Sequence, residues 1–387
     1  MEPFLGADFF GNPSSLHYDG QRARRALDAA RETVATALGV KFSEVTFTSG
    51  GTEADNAAVV GVMLANRNRG SVPDCGNAAQ SRGSAPDWGN AAHSRGSHLI
   101  TTQIEHEAVL RSCAFLESLD FEVTYVAPDQ TGLVAPIAIA DAMTARTVLV
   151  SVMHANNEVG TIQPVAEIAR IAKRHGALVH TDAVQSFGRL LVSAGELGAD
   201  VISISAHKIY GPKGVGALYV REGVAIEPLL HGGSQERERR AGTENVAGIV
   251  GFAAATALAM AEREEEARRM SGLRDRLIAL LLRETPGAVL NGHPTNRLPN
   301  NVSVSFPPLE AEAILLSLDM AGISASSGSA CSSGSIEPSH VLTAMGLPAE
   351  VVRSAIRFTL GRSTTEEEID RAGTVIVETL RRLLRGV

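Results

Sequence analysis

Cysteine is scarce, three in 387 residues. An odd and small number in so long a chain argues against a disulfide framework and makes a reducing cytosol the expected setting. Positive charge is not in excess: 35 Lys and Arg against 43 Asp and Glu leave −8. Both signs are interspersed, which speaks against non-specific binding to nucleic acid or to an anionic membrane surface. No apolar run approaches the ~20 residues needed to span a bilayer, so no membrane role is expected. Met1-Glu2-Pro3-Phe4 has neither the basic start nor the apolar stretch of a signal peptide. What is present is ordinary for a soluble globular protein, with 44% apolar and 20% charged residues, at a length that fits one large and one small domain.

Apolar residues at 23, 26, 27, 30, 34, 37 and 38, followed by Gly39, predict a helix over 14–38. Short strands are expected at 45–48, 97–104, 121–126, 147–153, 177–180, 201–205 and 215–220. The near-continuous apolar run at 147–153 suits a strand buried on both faces. Pro164 opens and Gly176 closes a helix between two of them. This alternation predicts an α/β fold with a mostly parallel sheet covered by helices. Charged helices follow over about 243–284, then a strand near 302–306, an apolar helix at 310–321, a strand at 356–360 and a last helix at 365–385. The division expected is a large domain over 11–250 and a smaller α+β domain over 251–387, joined by residues 1–10.

Residues 69–81 recur at 82–94 with three changes, and a third copy begins at Arg95-Gly96-Ser97. The repeat is rich in Gly, Pro, Asn and Ser and too poor in apolar residues for a core, so a disordered surface insert over 69–97 is expected. Cys75 becomes Trp88 in the second copy, which speaks against a role for either. A different cysteine draws attention. Cys331 sits in Ser-Gly-Ser-Ala-Cys-Ser-Ser-Gly, a Gly/Ser stretch that buries little apolar surface and is expected to swing.

Several motifs fall where strands should end. Ser205-Ala206-His207-Lys208 would emerge at the C-terminal edge of a strand, where open α/β sheets bind ligands. Lys208 there is either a Schiff-base lysine, with Ser205 and His207 on a phosphate, or an ordinary lysine beside a glycine turn. Asp182 in His180-Thr-Asp182-Ala-Val-Gln185 either holds the ring nitrogen of a pyridine cofactor or caps a helix. Ser49-Gly50-Gly51-Thr52-Glu53 offers free backbone N–H groups to a phosphate, or is a capped helix start. His106, in Glu105-His106-Glu107, can stack on an aromatic cofactor or simply begin a helix. Asn156, in His154-Ala-Asn156-Asn157-Glu158, can donate to a cofactor oxygen or make a turn. Arg357, inside an apolar strand, needs an anion, either a substrate carboxylate or a structural acid. Cys113 reads as a small core residue.

Together these motifs resemble the cysteine desulfurases of the NifS/IscS class, within the class V members of the fold-type I pyridoxal-phosphate enzymes. The likeness runs from Gly11-Asn-Pro-Ser-Ser-Leu-His17 to Ile356-Arg-Phe-Thr-Leu-Gly-Arg-Ser-Thr-Thr-Glu-Glu-Glu368, leaving out the repeat insert. The resemblance implies a fold-type I architecture with a seven-stranded-type sheet and pyridoxal 5'-phosphate as cofactor. It implies Lys208 as the Schiff-base lysine, Asp182 on the pyridine nitrogen, Gln185 on the phenolic oxygen and His106 on the ring, where it can also carry protons. Thr52, Ser205 and His207 would bind the phosphate. Thr243 would reach the phosphate of the other copy in a homodimer. Asn156 and Arg357 would hold L-cysteine, with Asn156 also near the cofactor. Cys331 would accept the sulfur and pass its persulfide to an iron–sulfur scaffold protein, with transient cluster ligation through that cysteine as a further implication. The family carries a segment resembling Tyr-Leu-Asp-Asn-Ala-Ala-Thr-Thr-Pro ahead of the first motif. The ten residues before Gly11 do not contain it, so either a start further upstream or a shortened site wall is expected. A selenocysteine lyase, an aminotransferase of the same fold, or an inactive dimeric partner are the competing readings. Cys331 favours the desulfurase, because a transaminase needs no thiol there.

Overall fold

The β-branched runs pair into a sheet whose strands are β1 (Val45–Thr48), β2 (His98–Thr102), β3 (Glu122–Val126), β4 (Thr147–Ser151), β5 (Leu178–Asp182), β6 (Val201–Ser205) and β7 (Gly216–Val220). The computed structural model describes residues 1–6, 9–67, 97–328 and 338–385. The repeat insert up to residue 96 and the Cys331 stretch therefore lie outside the described residues. The spatial order is β1-β7-β6-β5-β4-β2-β3. Neighbours from β3 through β6 are parallel, while β7 runs against both β6 and β1. Successive side chains of one strand enter opposite layers. Leu149, Leu178 and Val201 pack on one face, and Val150, Val179 and Ile202 on the other. That two-sided burial is why these runs read as continuously apolar.

The layers are α1 (Tyr18–Leu38), α2 (Gly51–Asn56), α3 (Val62–Asn66), α4 (Glu107–Glu117), α5 (Pro136–Ala142), α6 (Val165–Arg174) and α7 (Ala194–Leu197), with a π-helical stretch at Ala57–Gly61 joining α2 to α3. The first helix starts later than its periodicity predicts. His17 caps it, its Nδ1 accepting the Gly20 N–H at 3.2 Å. Gly39 ends it in the left-handed conformation, φ 65°. β4 also ends two residues early, at Ser151, and the chain turns there to deliver His154 to Glu158.

The expected helices of 243–284 form one rod, α8 (Val246–Glu284). The boundary expected at 250/251 falls inside it. Ile249, Phe252 and Ala253 join the core of the large sheet, whereas Leu273, Leu277 and Leu281 join a separate core. Part of α8 is, by length and composition, long and apolar enough to cross a membrane, against the expectation that no apolar run approaches that length. In the fold that part packs on α1 and on the turn of Lys208. The second core lies under a four-stranded antiparallel sheet of β8 (Val289–Leu290), β9 (Asn301–Ser305), β10 (Ser326–Ser327) and β11 (Ala355–Thr359), ordered β10-β11-β9-β8. With it go α9 (Ala311–Met320) and α12 (Glu366–Leu384), whereas Val341 and Leu342 of α10 (His340–Ala344) and Val352 of α11 (Ala349–Arg353) join the core of the large sheet.

Candidate active site

The strands β1, β2, β4, β5 and β6 all end at one edge of the large sheet, so the segments that follow them converge. Asp182 is the last residue of β5, buried, with Oδ1 accepting the Val184 N–H at 2.8 Å. Burial pushes its carboxyl up, and that Val184 bond together with the charges of His106 and Lys208 pulls it down. Asp182, His106 and Lys208 therefore share one electrostatic neighbourhood, although they come from β5, from the start of α4 and from the turn after β6. Lys208 is half-buried in the 3-10 turn Ala206–Ile209. Ser205 ends β6 and its Oγ lies 2.8 Å from His207 Nδ1.

The Ser49-Gly50-Gly51-Thr52 loop lies beside Ser205. A Cβ on Gly51 would meet Val184 Cγ2 at 2.8 Å and Ser205 Cβ at 3.6 Å. A Cβ on Gly216, in β7, would meet the Ile204 carbonyl at 2.7 Å and the backbone of Gly50 at 2.8 Å. Two residues without side chains thus let three backbone segments close on one spot. Thr52 is exposed at the start of α2. Glu53 next to it binds Arg240 at 2.9 Å, which brings the segment carrying Thr243 to the same helix. Thr243 itself is exposed.

His106 is the N-cap of α4, its Nδ1 accepting the Ala108 N–H at 3.1 Å. A neutral His106 consequently carries its proton on Nε2. The helix-start reading of this residue holds, and it coexists with a place beside Asp182. Asn156 is fully buried. Its Oδ1 accepts the N–H groups of Glu158 and Val159, and its Nδ2 donates to the Ile104 carbonyl at 2.9 Å. The turn-making role is therefore realised. Gln185 is half-buried, and its carbonyl, like that of Lys208, accepts from the Arg189 guanidinium, at 3.2 and 2.7 Å. Arg357, on β11, reaches across from the small sheet and donates to the Asn157 carbonyl at 2.8 Å. Cys331 lies outside the described residues, so its place in the site is not part of this geometry. Cys113 is fully buried in the core, and burial pushes its thiol up to about 12.

Sequence reasoning passed over the acids behind this edge. Glu105 is fully buried, accepts from Thr102 Oγ1 at 2.7 Å and from the Met153 N–H at 2.9 Å, and is pushed up to about 8 by burial. Asp55, on α2, is pushed well above its ordinary range by burial and by the charge of Asp182. Its Oδ1 lies 3.7 Å from His180 Nε2. Neither Asp55 Oδ1 nor Glu105 Oε2 has a hydrogen-bond partner. Burial raises Asp55, Glu105 and Asp182 alike, and of these three Asp182 is the one whose rise the charges of His106 and Lys208 oppose. Glu105, Asp55 and Glu158 stand beside polar neighbours, in Ile-Glu-His, Ala-Asp-Asn and Asn-Glu-Val, so no apolar run marked them as buried.

This donor set fits a flat pyridine-type cofactor bearing a phosphate. It offers a buried carboxylate for a ring nitrogen, a hydroxyl–imidazole pair beside a glycine cradle for the phosphate, and a lysine amine on the turn that follows β6. Among the described residues no cluster of His, Cys, Asp and Glu could hold a metal ion.

The family model described as Aminotransferase class-V matches residues 5–72 and 84–372. The chain is 47% identical over 383 residues to "Cysteine desulfurase IscS" of Dictyoglomus turgidum, covering 99% of this chain and 90% of that one. It is 49% identical to "Cysteine desulfurase IscS" of Methanosarcina thermophila, covering 99% and 88%. A solved structure titled "NIFS-LIKE PROTEIN" superposes with a TM-score of 0.86 at 39% identity, covering 98% of this chain and 94% of that one. The chain belongs to the class-V aminotransferase family, with the α/β fold-type I architecture. Its likeness within that family is to the cysteine desulfurases. The break in the family match, 73–83, lies inside the tandem repeat.

Proposed function

We infer that the chain is a cysteine desulfurase that converts L-cysteine to L-alanine, with pyridoxal 5'-phosphate as cofactor and Cys331 as sulfur acceptor. The observation that carries the reading is the convergence of Asp182, Lys208 and His106 at one strand edge, with Arg357 reaching the same edge from the sheet that flanks the Cys331 stretch. When bound, the cofactor supplies an electron sink conjugated to the substrate Cα. Thr52, Ser205 and His207 would hold its phosphate, Gln185 its phenolic oxygen, Asp182 its ring nitrogen, and His106 would lie on its ring. Arg357 binds the substrate carboxylate as a fixed cation, and Asn156 shapes the turn beneath it. Lys208 Nζ takes the proton from the substrate Cα. His106, protonated on Nε2, carries protons between the substrate and solvent.

In the net exchange the Cys331 sulfur forms an S–S bond with the substrate sulfur, and the substrate Cβ–S bond breaks. The electron pair left on Cβ takes a proton, giving the methyl group of alanine and a persulfide on Cys331. The exchange is redox-neutral. We further propose a cytoplasmic homodimer in which Thr243 reaches the phosphate bound by the other copy, and transfer of the sulfur to an iron–sulfur scaffold protein.

The test is alanine formation from L-cysteine by the cofactor-loaded chain, beside Lys208→Ala and Cys331→Ala. The reading requires the parent to make alanine and both variants to lose it, with Cys331→Ala still changing its absorbance when L-cysteine is added. A parent that binds the cofactor and makes no alanine would remove the desulfurase assignment and favour the inactive-partner reading.

A further inference from the structure

Gln185 and Lys208 sit on different loops, and one guanidinium joins their backbones. Arg189 is half-buried, four residues beyond Gln185 on the segment that leaves β5. Its Nη1 donates to the Gln185 carbonyl at 3.2 Å and its Nη2 to the Lys208 carbonyl at 2.7 Å. Local structure leaves both carbonyls open to it. Pro212, four residues after Lys208, has no N–H to give. The Gly211 N–H goes to the Ala206 carbonyl at 2.9 Å. On the other loop, the backbone N–H groups of Arg189 and Leu190 both go to the Ser186 carbonyl, at 2.9 and 2.8 Å. A charged donor thus takes two carbonyls that the turns themselves do not satisfy.

The two loops come from neighbouring strands. β5 and β6 pair as far as Asp182 and Ser203, and the Ala183 N–H still reaches the Ser203 carbonyl at 3.0 Å. Beyond that point one chain enters Val184 and Gln185, the other the 3-10 turn Ala206–Ile209. Arg189 ties the two together again past the end of the sheet. The far end of the lysine turn is braced separately. Tyr210 there has φ 65°, and its hydroxyl accepts the Arg362 N–H at 2.8 Å. Arg189 and Lys208 also line a cavity of about 90 Å³ together with Tyr210, Leu258 and Glu262. A side chain without donors has room beside that space, so replacing the guanidinium need not crowd the loops apart.

We propose that Arg189 is a positioning residue that sets the spacing between Gln185 and Lys208. The proposal rests on the functional reading, in which Gln185 meets the cofactor's phenolic oxygen and Lys208 its Schiff-base carbon. Those two groups are carried by adjacent atoms of the pyridine ring, so the two side chains must be held at one separation. Arg189 acts through the two backbones it joins. Proton transfer at the substrate Cα is sensitive to small displacements of Lys208 Nζ. The substrate carboxylate is held by Arg357 from the other sheet, so binding of L-cysteine does not depend on Arg189.

Two variants separate the donors from the bulk of the side chain. Arg189→Met keeps an unbranched stem and removes every donor. Arg189→Lys keeps the charge and three N–H groups. In the cofactor-loaded chain, Arg189→Met should lower kcat for alanine formation about tenfold, the scale of one charged hydrogen bond. KM for L-cysteine should stay at the parent's value, and Arg189→Lys should recover most of the lost kcat. Independently of turnover, hydrogen exchange on the cofactor-free chain should quicken at both 183–190 and 206–211 in Arg189→Met. It should stay near the parent in Arg189→Lys, with α1 and β9 unchanged in both variants. Three outcomes overturn the proposal: a KM that rises while kcat holds, a Lys variant as slow as the Met variant, or exchange that quickens at one loop only or throughout the chain. A parent that binds the cofactor and makes no alanine overturns the desulfurase reading instead, and the exchange measurement then still decides whether Arg189 joins the two loops.

Discussion

Glu105 shows what one residue contributes to behaviour in solution. Burial raises its carboxyl from an ordinary value of 4.5 to about 8. The folded chain therefore binds a proton there that the unfolded chain releases between those values, and stability falls as pH rises through that window. Its contribution is fully present below about pH 4.5. Glu105→Gln keeps the shape and cannot ionise, so the cofactor-free variant should show a flatter dependence of Tm on pH between 5 and 8 than the parent. Parallel curves would mean that Glu105 is not the group titrating. His154 and His180 act in the opposite sense. Burial lowers them from 6.5 to about 4 and about 3, so their contribution is present above pH 6.5 and lost as pH falls through the folded values.

Among elements, the segment after β7 is held by an ion pair that excludes water. Arg31 on α1 binds Glu236 through both guanidinium arms at 2.6 and 2.7 Å, and Glu236 also accepts the Phe47 N–H of β1 at 2.9 Å. Both side chains are almost fully buried, and Arg31 stacks on Phe42 and Phe47. Glu236→Gln leaves Arg31 buried without its counter-charge, at an expected cost of about 3–5 kcal/mol in denaturant unfolding. A change under 1 kcal/mol would mean that water reaches Arg31. Gly216 supplies the second test at this scale. Gly216→Ala pushes the Gly50 backbone away from Ser205, so cofactor affinity should fall, read as weaker retention of the cofactor on dialysis, while the far-ultraviolet spectrum stays that of the parent.

At the scale of the molecule, Leu5, Phe10, Leu16 and Tyr18 are 70–91% exposed on one short segment, which lies against α8 where Met1 meets Gly251. Exposed apolar side chains gathered this way mark an association surface. Sedimentation should give about twice the 40.6 kDa chain mass, and Leu16→Glu should shift it toward a single copy. A parent that sediments as one copy would remove both the homodimer and the shared role of Thr243.

Much of this was legible in the chain. Two-sided burial writes itself as apolar runs, so the strands through β7 and the mostly parallel sheet followed from residues 147–153, 201–205 and their neighbours. Chemistry at strand ends was legible too, because Asp182, Ser205 and Lys208 follow apolar runs directly and a strand end can point nowhere but the sheet edge. Short elements such as α5, α10, α11, β8 and β10 were not, since two to seven residues carry too little periodicity. What only the tertiary structure decided was which acids are buried and what they touch. Glu158 accepts the hydroxyl of Ser339, 181 residues along the chain, and no local pattern records that contact. Asn156 likewise read as a donor or a turn until its amide was seen holding Ile104, Glu158 and Val159. The sequence determines the chemical groups and the element that carries each. Their partners depend on how two sheets meet, and only the folded chain brings those sheets together.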